Sequence, residues 1–176
     1  KQFDATGITL TRDLVKIVKD IDPTRPVTCA LSENDPKKNF IYQSGALDVV
    51  GLNYHIEAYQ DFPKNYPGEK FIATENVSGL ASRGHYDMPA DSLRFWPPSS
   101  QYKYVPDGNA DYTVSAYDNV AAYWGSTHEQ TWRIIKKHPY LSGLFVWSGF
   151  DFLGEPVPYP YPARSSYYGI IDLAGF

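Results

Sequence analysis

Glu75 directly follows the apolar run Phe71-Ile72-Ala73-Thr74. An ionised carboxylate at the end of an apolar strand needs partners. One task that suits it is glycosidic bond cleavage, in which a nucleophilic carboxylate and an acid/base carboxylate stand about 5 Å apart. The plain alternative is a salt-bridged or helix-capping glutamate at a strand exit. Three further groups occupy equivalent places. Asn53, Tyr54 and His55 follow the run Leu47-Asp48-Val49-Val50-Gly51-Leu52. Trp147 ends Gly143-Leu144-Phe145-Val146 and precedes Ser148 and Asp151. Ser32, Glu33 and Asn34 follow an apolar run at 27–31. Carboxylates, amides and aromatic rings with few cations suit a sugar pocket better than a phosphate pocket. No Gly-rich phosphate loop is present and no His/Cys/Asp cluster has metal-ligand spacing, so neither a metal nor another cofactor is expected.

The elements that carry these residues follow from the apolar spacing. Leu10, Leu14, Ile17, Val18 and Ile21 form one stripe and predict a helix over 8–21 that Asp22-Pro23 ends. Strands are predicted at 27–31, at 47–55, at 70–75 and at 143–147. Their apolar stretches are continuous, as in strands buried on both faces. A short helix is expected at 40–46 and a loop or broken helix at 56–69. Residues 79–125 read as a long irregular insertion, whose Tyr86, Phe95, Trp96, Tyr102, Tyr104, Tyr112 and Tyr117 argue against disorder. Ser126-x-x-Glu129 has the form of a capping box that opens a helix closed by Pro139. A Pro-Tyr tail ends in Tyr167-Tyr168-Gly169, and 170–172 is a further candidate strand.

Buried strands alternating with helices predict an α/β fold of parallel βα units. Four such strands in 176 residues fit half of a (β/α)8 TIM barrel, whose usual length is about 250 residues. The chain is therefore expected to be a fragment or domain excerpt. In such a barrel the C-terminal strand ends hold the active site, which is where Glu75, Asn53, Tyr54, His55 and Trp147 fall. The formal charge of −4 argues against a nucleic-acid partner, and no apolar run is long enough for a membrane span. No initiating Met or charged-then-apolar leader is visible. The single cysteine, Cys29, cannot form an internal disulfide, and its apolar run predicts burial. Aromatic residues make up 16%, enough for a good core and for faces that stack on a ligand.

Asp48 to His55, Phe71 to Glu75, and Gly143 to Asp151 with Gly154-Glu155-Pro156 together resemble glycoside hydrolase family 2, most of all its bacterial β-galactosidases. The tail from Pro158 to Gly169 is similar to one subgroup. The resemblance runs through most of the chain and implies strands five to eight of the catalytic barrel. It also implies a retaining exo-glycosidase acting on terminal β-D-galactosides. Glu75 matches the nucleophile, Tyr54 an active-site tyrosine beside it, and Trp147 an aromatic wall of the sugar pocket. Asn53 and His55 are adjacent substrate-binding candidates. One departure matters: the family's acid/base glutamate lies in an Asn-Glu pair, and this chain contains none. Ser78 stands where some relatives place a histidine. The chain alone is then expected to be inactive, completed by the rest of its own barrel and accessory β domains. A β-glucuronidase or β-mannosidase of the same family is the nearest alternative, and a non-catalytic carbohydrate-binding domain the more distant one. The sequence leaves the compartment open, with periplasm or exterior ahead of cytoplasm.

Overall fold

The computed structural model describes residues 1–86, 92–96, 98–99, 113–159 and 161–176. Tyr102, Tyr104, Tyr112 and Pro160 of the sequence reading lie outside them. The elements in chain order are α1 (Thr6–Ile21), β1 (Ala30–Leu31), α2 (Phe40–Gln43), β2 (Val50–Asn53), a 3₁₀ helix (Ile56–Asp61), α3 (Phe62–Asn65), β3 (Phe71–Glu75), β4 (Arg94–Phe95), β5 (Val120–Ala121), α4 (His128–Lys137) and β6 (Leu141–Leu144). The chain divides into two compact units, the first formed by Lys1–Glu75 with Ile135–Phe145 and the second by Asn76–Ile134 with Val146–Phe176.

The first unit is built on a parallel sheet in the order β1-β2-β3-β6. Val50, Leu52, Phe71 and Ala73 of its central strands are almost inaccessible, Gly51 is buried, and Ile72 and Thr74 on the other side of β3 are half-buried, so the expected burial on both faces is complete only in β2. Gly51 is required at the centre of β2. A Cβ there would collide with the Cys29 carbonyl on one side and stand 2.7 Å from the Thr74 methyl on the other. Tyr59, Phe62, Tyr66 and Phe71 form an aromatic cluster of edge-to-face and stacked rings, and Tyr140 packs on Phe71 at 5.3 Å. Asn39 caps α2 by accepting from the backbone N–H groups of Ile41 and Tyr42. Asp4 opens α1 by accepting from the Thr6 backbone N–H and hydroxyl.

Four expectations change in this unit. The first strand shrinks from five residues to Ala30–Leu31, and Cys29 is half-buried, with burial raising its thiol pKa. The last strand lies at Leu141–Leu144, so the apolar Phe145-Val146-Trp147 follows it instead of forming it. Only the Phe145 N–H still pairs, with the Ala73 carbonyl. The apolar stripe of α1 stays open, with Leu14, Ile17 and Ile21 at 53, 55 and 81% exposure. Helix α1 buries only Gly7 and Thr11, because its recorded packing is against α2.

The second unit has a core of its own, made by Leu80, Trp96, Val114, Val120, Tyr159 and Tyr168. Strands β4 and β5 pair in parallel, and Gly79 bridges Ala121. The described part of 79–125 is thus not plain loop. Its strands are two residues long, too short for a periodic signal. Residues 170–172 form no strand and contribute a single bridge, Ile171 to Phe150. The cap of α4 sits one residue later than expected. Thr127 Oγ1 accepts from the Gln130 N–H, and Gln130 Oε1 accepts from the Thr127 N–H. Ser126 is instead buried against Thr131, and Glu129 pairs with Arg133. Among the described residues no helix is long and apolar enough to cross a membrane.

Candidate active site

The site residues of the first unit meet where β2 and β3 end. Along these parallel strands Gly51 pairs with Ile72 and Leu52 with Ala73, but Asn53 pairs with Glu75. Thr74 is the extra residue. A bulge of this kind breaks strand alternation and re-aims side chains, so that Thr74 and Glu75 both reach Asn53. Thr74 Oγ1 donates to Asn53 Oδ1 at 2.7 Å. Asn53 stands opposite Glu75 in the strand register, and its amide acts on the carboxylate as a neutral donor.

Glu75 is half-buried. Burial is the larger influence and raises its pKa above the ordinary value, while the hydrogen bond from Asn53 pulls the other way. No charged side chain among the described residues contributes to the shift. This is a half-buried carboxylate steadied, among the described residues, by one neutral donor.

Immediately after β2 the backbone turns through two left-handed residues, Tyr54 at φ 59° and His55 at φ 55°. Neither is glycine, and such conformations in bulky residues concentrate at functional sites. The turn is tied to β3 by the Tyr54 N–H, which donates to the Glu75 carbonyl at 2.6 Å. The recorded bond between Tyr54 and Glu75 is therefore a backbone one. His55 Nδ1 lies 3.1 Å from Glu57 Oε1, which orients the imidazole. Asn53, Tyr54, His55 and Glu75 are thus brought together at one end of the sheet.

Trp147 belongs to the second unit. Its indole is 42% exposed and meets the Phe152 ring edge-on at 5.7 Å. The peptide bond to Ser148 is cis, and the Ser148 N–H donates to the Tyr168 carbonyl. The remaining glutamates with recorded bonds have local tasks. Glu33 accepts from the Asp35 N–H, Glu69 from the Tyr42 hydroxyl, and Glu129 pairs with Arg133. Ser78 is buried and donates to the Ala122 carbonyl. Sequence reasoning missed Thr74, because strand alternation assigns it to the face opposite Glu75. Only the register shift reveals it.

No protein-family model matches the chain. Direct comparison does better. The chain is 44% identical over 167 residues to the β-galactosidase BoGH2A of Bacteroides ovatus, a match covering 95% of this chain and 19% of that protein. That match supports a fragment of glycoside hydrolase family 2. The chain is also 25% identical over 152 residues to a β-glucuronidase of Bacteroides fragilis, covering 86% of itself and 20% of that enzyme. It therefore spans about a fifth of the length of these curated relatives. A solved structure of a glycosyl hydrolase family 2 member from Bacteroides cellulosilyticus shares the fold, with a TM-score of 0.56 at 20% identity over 97% of this chain and 17% of that one.

Proposed function

We propose that this chain is strands five to eight of a (β/α)8 barrel in a retaining exo-glycosidase that removes terminal β-D-galactosyl residues. The observation that carries the reading is Glu75: a half-buried carboxylate at the C-terminal end of a parallel strand, held by Asn53 and free of any charged neighbour among the described residues. The parallel order β1-β2-β3-β6 supports the barrel, and the 44% identity to a β-galactosidase supports the sugar.

In the reaction the Glu75 carboxylate attacks the anomeric carbon. The glycosidic C–O bond breaks as an acid glutamate, contributed from outside this chain, protonates the departing oxygen. A glycosyl ester on Glu75 results. The same outside residue, now a base, takes a proton from water. That water attacks the anomeric carbon, and Glu75 leaves as a carboxylate. Asn53 holds the Glu75 oxygens during both steps, Tyr54 and His55 line the approach, and Trp147 offers an aromatic face to the sugar ring. The partners in this reading are a carbohydrate, the rest of the barrel and accessory β domains, with no nucleic acid and no membrane.

The test is made in the full-length polypeptide with chromogenic glycosides. Glu75→Gln should lower kcat for an aryl β-galactoside on the order of 10⁴-fold. A fluorinated galactoside inactivator should label the Glu75 peptide. Retained turnover, or a label elsewhere, overturns the nucleophile. Faster hydrolysis of the glucuronide or mannoside than of the galactoside overturns the sugar assignment. Sugar binding with no turnover and no label identifies a carbohydrate-binding domain.

A further inference from the structure

The Thr74 hydroxyl stands between an aliphatic contact and an amide. Its methyl lies over Gly51, where even a Cβ would come within 2.7 Å. A β-branched side chain fixed at one branch is fixed at the other. The hydroxyl is thereby aimed at Asn53, whose Oδ1 it reaches at 2.7 Å. The bulge that makes Thr74 the extra residue of β3 is what permits this aim.

An asparagine amide has an accepting oxygen and a donating nitrogen, and a half-turn exchanges them. A carboxylate can only accept, so it is satisfied only when the nitrogen faces it. The oxygen then points away and needs a donor. Thr74 is that donor.

We infer that Thr74 is a positioning residue, whose hydroxyl locks the Asn53 amide with its nitrogen toward the Glu75 carboxylate. The inference rests on the reading of Glu75 as nucleophile and adds a residue to that site. Without the hydroxyl, the amide oxygen loses its donor, and the half-turned amide, with oxygen against carboxylate, is opposed from the Glu75 side alone. In that half-turned state Glu75 loses the donor that, among the described residues, offsets its burial.

The experiment measures the pH profile of kcat/KM for an aryl β-galactoside in the full-length polypeptide. Glu75 must be ionised to attack, so its proton affinity sets the acidic limb. Thr74→Val keeps the shape and removes the donor. It should move that limb up by about one pH unit and lower kcat/KM on the limb itself some tenfold, with a far smaller change on the plateau above it. Thr74→Ser should restore the wild-type limb. In an Asn53→Ala background, Thr74→Val should add no further shift, because Thr74 acts through Asn53. A limb unmoved by Thr74→Val, or moved equally in the Asn53→Ala background, overturns the inference. Thr74→Ala, which adds no bulk, carries the same expectations if Thr74→Val yields no folded protein. Glu75→Gln separates the two readings. If it retains turnover, both fall, since Thr74 then has nothing to position. If it is inactive while Thr74→Val matches wild type, only the positioning role falls.

Discussion

Holding a carboxylate half out of water disfavours its charge, and at Glu75 a single neutral donor offsets only part of that effect. The consequence is a stability penalty of known sign. The folded-state pKa lies above the ordinary 4.5, so the folded form keeps its proton more readily than the unfolded form. The stability this contributes is complete below the ordinary value and is lost as pH rises through the raised one. Glutamine does not ionise. Glu75→Gln should therefore raise the thermal midpoint at about pH 7, and the gain should shrink towards zero below about pH 4. A melting series across that range checks it, and an unchanged midpoint at both ends sinks it. The same substitution abolishes turnover in the reading above, so stability and activity trade at one residue. The residue types of this site were legible in the sequence, because Glu75, Asn53, Tyr54 and His55 all end apolar runs. Their roles were not. The Thr74 bulge and the left-handed turn at Tyr54-His55 are backbone features, and neither carries a Gly or Pro to signal it.

At the scale of elements, strands β2 and β3 were readable because their apolar runs are continuous, although β3 is fully buried only at Phe71 and Ala73. The last strand was displaced for an opposite reason. Its most apolar stretch, Phe145-Val146-Trp147, lies past the pairing, while the paired Leu141–Leu144 contains a serine and a glycine. The two-residue strands β1, β4 and β5 leave too few side chains for any period. Helix α4 gives a sharper case, since two overlapping patterns, Ser126-x-x-Glu129 and Thr127-x-x-Gln130, compete for its start. The second forms the reciprocal cap, and Asp118 accepts from the His128 and Glu129 N–H groups besides. Thr127→Ala should then cost about 1 kcal/mol of unfolding free energy. Glu129→Ala removes only an exposed pair with Arg133 and should cost less than about 0.5 kcal/mol. Urea unfolding of both variants decides it, and the reverse order would restore the Ser126 pattern.

At the scale of the whole molecule, several features of the first unit point the same way. Strands β1 and β6 are the outer members of the sheet, and open edges of a parallel sheet call for cover. Helix α1 displays Leu14, Ile17 and Ile21 to solvent, an apolar stripe that a helix of this kind normally lays on a core. No carboxylate acts on Glu75 among the described residues, while retaining hydrolysis needs a second one about 5 Å away. The proposed barrel half would account for all three, since its other half would supply neighbouring strands, a surface beneath α1 and the acid/base glutamate. Residues 1–176 expressed alone should therefore show no hydrolysis of an aryl β-galactoside, and should associate or bind an apolar dye through the α1 face. Replacing the matching segment of the Bacteroides ovatus relative with this chain supplies the missing half. The two segments are 44% identical over 167 residues. The chimera should hydrolyse the galactoside, and Glu75→Gln within it should not. Activity from residues 1–176 alone would mean that the second carboxylate lies inside this chain, and the half-barrel reading would fall with it.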